Sequence, residues 1–146
     1  AMPDIKALQD RGYGRIHETD RFEIWFNQDK DRVYIPITDP PSRDEVDQAF
    51  VAAAGATERP MDLITDHQSM SSVETAQPHE LSACFDRFFD LLEIRNVVRV
   101  CGSDEGCRIC IPLDARLSTE EKGRLLGRTA TFEDADRLLD QQHGLV

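Results

Sequence analysis

Residues 21–37 read RFEIWFNQDKDRVYIPI, two runs of alternating apolar and polar side chains on either side of a polar link. Phe22, Ile24 and Phe26 fall on one side of an extended chain, and Glu23 and Trp25 on the other, the period of two that marks a half-buried strand. Asn27, Gln28, Asp29, Lys30 and Asp31 form the link. Val33, Ile35 and Ile37 then repeat the period, so the segment predicts an antiparallel hairpin. Pro36 lacks the amide hydrogen a ladder needs, and it demands an edge position, a bulge, or a strand that stops before its hydrophobicity does. Trp25 and Tyr34 lie opposite the main apolar set, where they line a groove or are covered by the N-terminal residues.

Downstream the period changes. Ser42 and Glu45 have the spacing of a capping box, in which a hydroxyl and a carboxylate satisfy each other's orphan amides. Val46, Ala49, Phe50 and Ala53 follow at helical spacing, with Gly55 as the stop. Met61, Leu63 and Ile64 form a short strand between Asp62 and Asp66, its lack of strict alternation suiting a central position covered on both faces. From His79 to Glu93 a helix carries Leu81, Phe85, Phe88 and Leu92 on one face, broadened by Cys84, Phe89 and Leu91. Val97, Val98 and Val100 make the next strand, and residues 107–113 suggest another apolar segment. Ser118 and Glu121 repeat the capping box, Arg128–Thr131 suggests a last strand, and Phe132, Ala135, Leu138 and Leu139 give a closing helix one apolar side. Residues 1–19, broken by Gly12 and Gly14, predict only an arm with one helical turn, ahead of a single domain over 20–146. The fold class is α/β: a mostly parallel sheet with an antiparallel hairpin at one end, flanked by helices.

Composition narrows the function. At 146 residues the chain is the size of one domain that stabilises itself by burial. Four cysteines, irregularly spaced, do not make a disulfide scaffold, and no secretory leader is read at the start, so a cytoplasmic protein is expected. No apolar run approaches the roughly 20 residues of a membrane span. The formal net charge is -11, and residues 39–93 hold twelve acids against Arg43, Arg59 and Arg87. Such a field repels nucleic acid and anionic membranes. It reads as a solvated surface that keeps the protein dispersed, or as a face for a cationic partner or a divalent ion. Phosphate-cradling glycine loops, nucleophile elbows and helical His-Glu-x-x-His motifs are absent from the sequence, which places binding ahead of catalysis, with no cofactor expected.

The hairpin, the capped helix, the strand from Met61 to Asp66, the phenylalanine-rich helix and the ending RTATFEDADRLL, residues 128–139, together resemble the SpoIIAA-like, or STAS-like, family over residues 20–142. The resemblance implies a small cytoplasmic regulatory module that works through a protein partner. It also implies a regulatory serine, because signalling members carry an Asp-Ser-Ser-Gly-like sequence after a central strand. The corresponding stretch here is Asp66, His67, Gln68, Ser69, Met70, Ser71 and Ser72; the serines are present, while that order and its glycine are not. Phosphorylation at Ser69, Ser71 or Ser72 would add about -1.5 to -2 charges; otherwise these hydroxyls cap loop amides.

Asp66, His67, Ser69, Ser71, Ser72 and His79 are therefore the candidate binding or regulatory residues, in a loop where a strand hands over to a helix. His67 and His79, with Asp66 and Glu80 beside them, also have the chemistry of a carboxylate-assisted base. A pocket lined by His67, Ser69, Ser71 and His79 would mark a small-ligand carrier or enzyme, and a flat surface there a protein partner. Cys101, Cys107 and Cys110 form the one cluster of cysteines. Two thiols two residues apart hold zinc or exchange disulfides from a turn, but point to opposite faces if the segment is a strand, and then are small packed thiols.

Overall fold

The computed structural model describes residues 3–70, 78–102 and 104–145, with the backbone alone for residue 78 and residues 104–107. The chain order is α1 (Ile5–Asp10), β1 (Gly14–Glu18), β2 (Glu23–Asn27), β3 (Arg32–Pro36), α2 (Arg43–Ala56), β4 (Met61–Asp66), α3 (Pro78–Leu91), β5 (Ile94–Val100), α4 (Asp104–Ala115), α5 (Thr119–Arg124), β6 (Leu125–Thr129) and α6 (Phe132–Gln142). The six strands lie side by side in sequence order. The first three are antiparallel, and β3 to β6 are parallel.

Two layers of helix cover this sheet. Ile24, Val33, Ile35, Leu63 and Val97 meet α2, α3 and α4 through Val46, Ala49, Leu81, Phe85, Phe88, Ile109 and Leu113. Crossovers of one hand put successive helices on one face when the strand order runs steadily in one direction. The reverse face carries Trp25, Tyr34, Ile64, Val98 and Val100 under Leu8 of α1 and Phe132, Ala135 and Leu139 of α6. Trp25 and Tyr34 are thus core residues beneath terminal helices. Burial on both faces explains why β4 shows no alternation.

Local chemistry sets the helix starts. Both capping boxes form: Ser42 Oγ accepts the Glu45 amide and Ser118 Oγ the Glu121 amide, at 3.2 and 3.1 Å, and each glutamate returns a bond to the cap amide. Thr131 caps α6 through the Asp134 amide at 3.2 Å.

Three readings change on the structure, and for Pro36 one of the alternatives, the early strand end, is selected. The N-terminal arm is a helix and an edge strand: Gly12, at φ 93°, closes α1 in the left-handed conformation that suits glycine, and β1 pairs with β2 across a bulge between Arg15 and His17. Pro36 is the last residue of a central strand, and the strand tolerates it because regular pairing with β2 stops at Tyr34 and returns only as the isolated Phe22–Ile37 bridge. Residues 107–113 are helical, with Pro112 inside α4; a short apolar run reads equally as buried strand or helix, and Ile109, Cys110 and Leu113 bury one helical face while Ile111 is exposed. The last strand runs Leu125–Thr129, earlier than expected, because Thr131 is taken as a cap. Among the described residues, no helix is long and apolar enough to cross a membrane.

Candidate functional site

The C-terminal ends of β3, β4 and β5 gather three loops into one edge of the sheet. The amide of Ile37 donates to the Asp66 carbonyl, His67 to Val100 and Cys101 to Thr129, each at 2.9 Å. In a parallel sheet this edge is where neighbouring loops meet and where ligands and partners are usually received.

Asp66 points to the α6 face. Its carboxylate accepts the Tyr34 hydroxyl, and takes the Gln68 amide on Oδ1 and the Gln68 side chain on Oδ2, both at 3.0 Å. The bond to the amide two residues on is an Asx-turn. Burial pushes the Asp66 carboxyl up from the usual range, against the downward pull of Tyr34 and Gln68. Gly102, at φ 74°, packs over Gln68; a Cβ there would lie 2.4 Å from its side chain.

His67 points to the opposite face and is fully enclosed. Its Nε2 lies 2.9 Å from Thr65 Oγ1, which also accepts Arg99 Nη1 at 2.9 Å. The other ring nitrogen, Nδ1, is buried and meets no hydrogen-bond partner. Burial, aided by the charge of Arg99, pushes His67 down to about 3, so the imidazole is neutral near physiological pH.

Arg99 shares this enclosure. It donates Nε to Asp114 Oδ1 at 2.9 Å, lies 4.1 Å over the Phe85 ring and leaves Nη2 without an acceptor. Arg128 takes the other Asp114 oxygen at 3.1 Å. The cluster beneath the edge therefore holds donors in excess. Thr65, Arg99, Asp114 and Arg128 were not legible as site residues, although a charged side chain inside the apolar run VVRVC, residues 97–101, is a signal that a strand interior holds a polar partner.

The sequence candidates separate. Asp66 and His67 face opposite sides of the sheet and point inward. Ser69 and His79 are exposed, with His79 Nδ1 3.3 Å from Arg116 Nη1. Ser71 and Ser72 lie outside the described residues, as does the side chain of Cys107. Cys110 is buried and hydrogen-bonded to Cys101, and that bond together with burial pushes its thiol far up, the state of an unreactive packed thiol. Among the described residues, no group of three or more His, Cys, Asp and Glu side chains is arranged to hold a metal ion.

Beside this edge, between the first turns of α2 and α3, lies a groove of about 420 Å³, lined by Pro41, Val46, Ala83 and Cys84 with Arg43, Glu80 and Arg87 among its polar residues. Cys84 Sγ donates to the Pro41 carbonyl at 3.5 Å, and burial raises its thiol to about 11. The groove is not lined by His67, Ser69 or His79. Comparisons with protein-family models, with curated proteins and with solved structures each find no match, and the assignment of function rests on this geometry.

Proposed function

We propose that this chain is a small cytoplasmic regulatory module that acts by binding a protein partner, with the loop 66–78, the start of α3 and the adjoining α2–α3 groove as its contact surface. The observation that carries the reading is the division of labour at the sheet edge. The groups suited to acid–base chemistry, Asp66 and His67, are enclosed and tied to Tyr34, Gln68 and Thr65, whereas Ser69, His79 and Glu80 face outward beside an apolar groove. An apolar centre with a polar rim is the composition of a protein-binding patch. The sequential β3-α2-β4-α3-β5-α4-α5-β6-α6 order agrees with the SpoIIAA-like resemblance and supports the same reading.

A photoreactive residue placed at Ser69 or Ala83 tests it in the source cell, with Gln28 on the β2–β3 turn as the distant control. One partner trapped from Ser69 and Ala83 but not from Gln28 is the expected result. Equal trapping from all three positions, or none from Ser69 and Ala83, overturns the contact surface. Intact mass of the protein from the same cells tests regulation at Ser69, Ser71 or Ser72: absence of phosphate under every growth condition removes that part.

A further inference from the structure

Asp86 and Asp90 lie one turn apart on α3, and Glu120 and Glu121 fall in the first turn of α5; with Phe89 and Ser118 they line a cleft of about 370 Å³. That volume falls in the range of small-ligand sites, roughly 300–1,000 Å³. Glu121 is only 6% exposed. Its Oε1 accepts the Ser118 amide at 2.9 Å, but its Oε2 is buried and meets no donor. The Asp86 carboxyl stands within hydrogen-bonding reach of Glu121. Carboxyls that face each other this way require a proton or a cation between them.

Of the neighbouring cations, Arg124 serves the outer acid Glu120 and lies over Phe89 at 5.8 Å, and Arg87 is tied to another helix. Arg124 donates to Glu120 at 2.5 Å and to the Ile94 carbonyl at 2.7 Å, and Arg87 donates to Asp47 at 3.0 Å. Burial first, then the charge and hydrogen bond of Glu121 and the charge of Asp90, push Asp86 up to about 6. Above that pH Asp86 is ionised, and among the described residues the ion pair at this cleft serves Glu120 and leaves Asp86, Asp90 and Glu121 without a cation.

A metal ion requires ligands drawn to one point, and no such group of three is present among the described residues. A primary ammonium instead carries three N–H donors on a compact head, which separate carboxylates accept individually. Phe89 offers an apolar wall for its alkyl stem. We infer that this cleft binds a primary alkylammonium group, seated between Asp86 and Glu121 Oε2 with Asp90 as its outer carboxylate. The cleft lies along α3 away from His79, so its test does not depend on the contact surface proposed above.

Calorimetric titration of the whole chain with 1,4-diaminobutane is the experiment. At about pH 7.5 saturable binding is expected, weakened about tenfold or more at about pH 5, where Asp86 is protonated, and by a similar factor in Asp86→Asn. Asp44→Asn, on the first turn of α2, should bind as the wild type does. Because Asp86 is exposed and its ionised form opposes Glu121, Asp86→Asn should remain folded and melt higher than wild type near neutral pH, which keeps the comparison readable. Equal binding by Asp86→Asn, no saturable heat from the wild type, or displacement of the diamine by an equal concentration of magnesium chloride overturns the inference. A short lysine-bearing peptide separates the sources: tighter binding than the diamine assigns the ammonium to a protein side chain, weaker binding to a free amine, and both outcomes support the site.

Discussion

Arg32 and Arg99 both project from the sheet into its interior without exposed surface, Arg32 under α6 at the start of β3 and Arg99 under α3 and α4 near the end of β5. Arg32 meets Asp62, Asp136 and Asp140 at 3.3, 2.7 and 2.8 Å. Around it Asp136 also accepts Tyr13 and Arg11, while Asp62 takes Arg95, Asn96 and His143 and Lys30 reaches Asp140 at 2.9 Å. Burial alone would lower the guanidinium pKa, but the bonds to Asp136 and Asp140 more than reverse this and keep it charged. Arg99 has one carboxylate, shared with Arg128, and otherwise a hydroxyl and an aromatic face. The first arginine is the centre of a clasp that ties α1, β3, β4, β5 and α6 together. The second is held loosely at the edge where loops are offered outward, so charge density follows structural duty at one end of the sheet and leaves room for contact at the other.

The largest test of that contrast is Asp136→Ala, which strips the clasp of the acid shared by Arg11, Tyr13, Lys30 and Arg32. Leaving a buried charge without its partner costs about 3–5 kcal/mol, to be read from the midpoint of urea unfolding. A loss under about 1 kcal/mol would mean that Asp62 and Asp140 suffice.

Next comes pH. His67 is held neutral in the fold, with its pKa lowered from 6.5 to about 3, while the unfolded chain takes up a proton in the ordinary range. Its contribution is therefore fully present above about pH 6.5 and is lost as pH falls toward about 3, a change on the order of 5 kcal/mol. Unfolding measured across that window should be flatter in His67→Gln than in wild type, and parallel curves would show that burial is not what holds the imidazole neutral.

Gly102→Ala is expected to cost about 2 kcal/mol, because it combines a left-handed backbone with a clash against Gln68. It should also disturb the Asp66–Gln68 turn, visible as a shift of the Tyr34 ring resonances. Arg99→Met should have the smallest effect, within about 1 kcal/mol, since an apolar side chain of similar length replaces a lightly paired charge and Asp114 keeps Arg128. A loss matching that of Asp136→Ala would erase the distinction between the two arginines.

Much of the fold was legible because the signals are local. Alternation through Phe22–Ile37 marked the hairpin, and the pairs Ser42/Glu45 and Ser118/Glu121 marked two helix starts, since a capping box involves only four consecutive residues. The same locality explains the misses. Gly14–Glu18 is an edge strand with weak apolar patterning, so nothing in it announced the partner strand that orders it. Residues 107–113 are apolar enough for either structure, and packing against α3 and the sheet selected helix. Of the candidate site, Asp66, His67, Ser69 and His79 were found as residue types beside a strand end, but not their division into enclosed and exposed groups.

By itself the sequence determined the order of strands and helices between Phe22 and Val100, where two helices begin, and a strongly acidic surface, because periodicity, capping and net charge act over a few residues or over the whole composition. Only the tertiary structure decided that Arg32 would meet Asp136 from 104 residues away, that His67 would be sealed above Thr65, and that Asp86 would face Glu121. Each of those outcomes depends on which face of a strand or helix is covered and by what, and burial in a medium of low polarity turns that placement into charge state, stability and binding capacity.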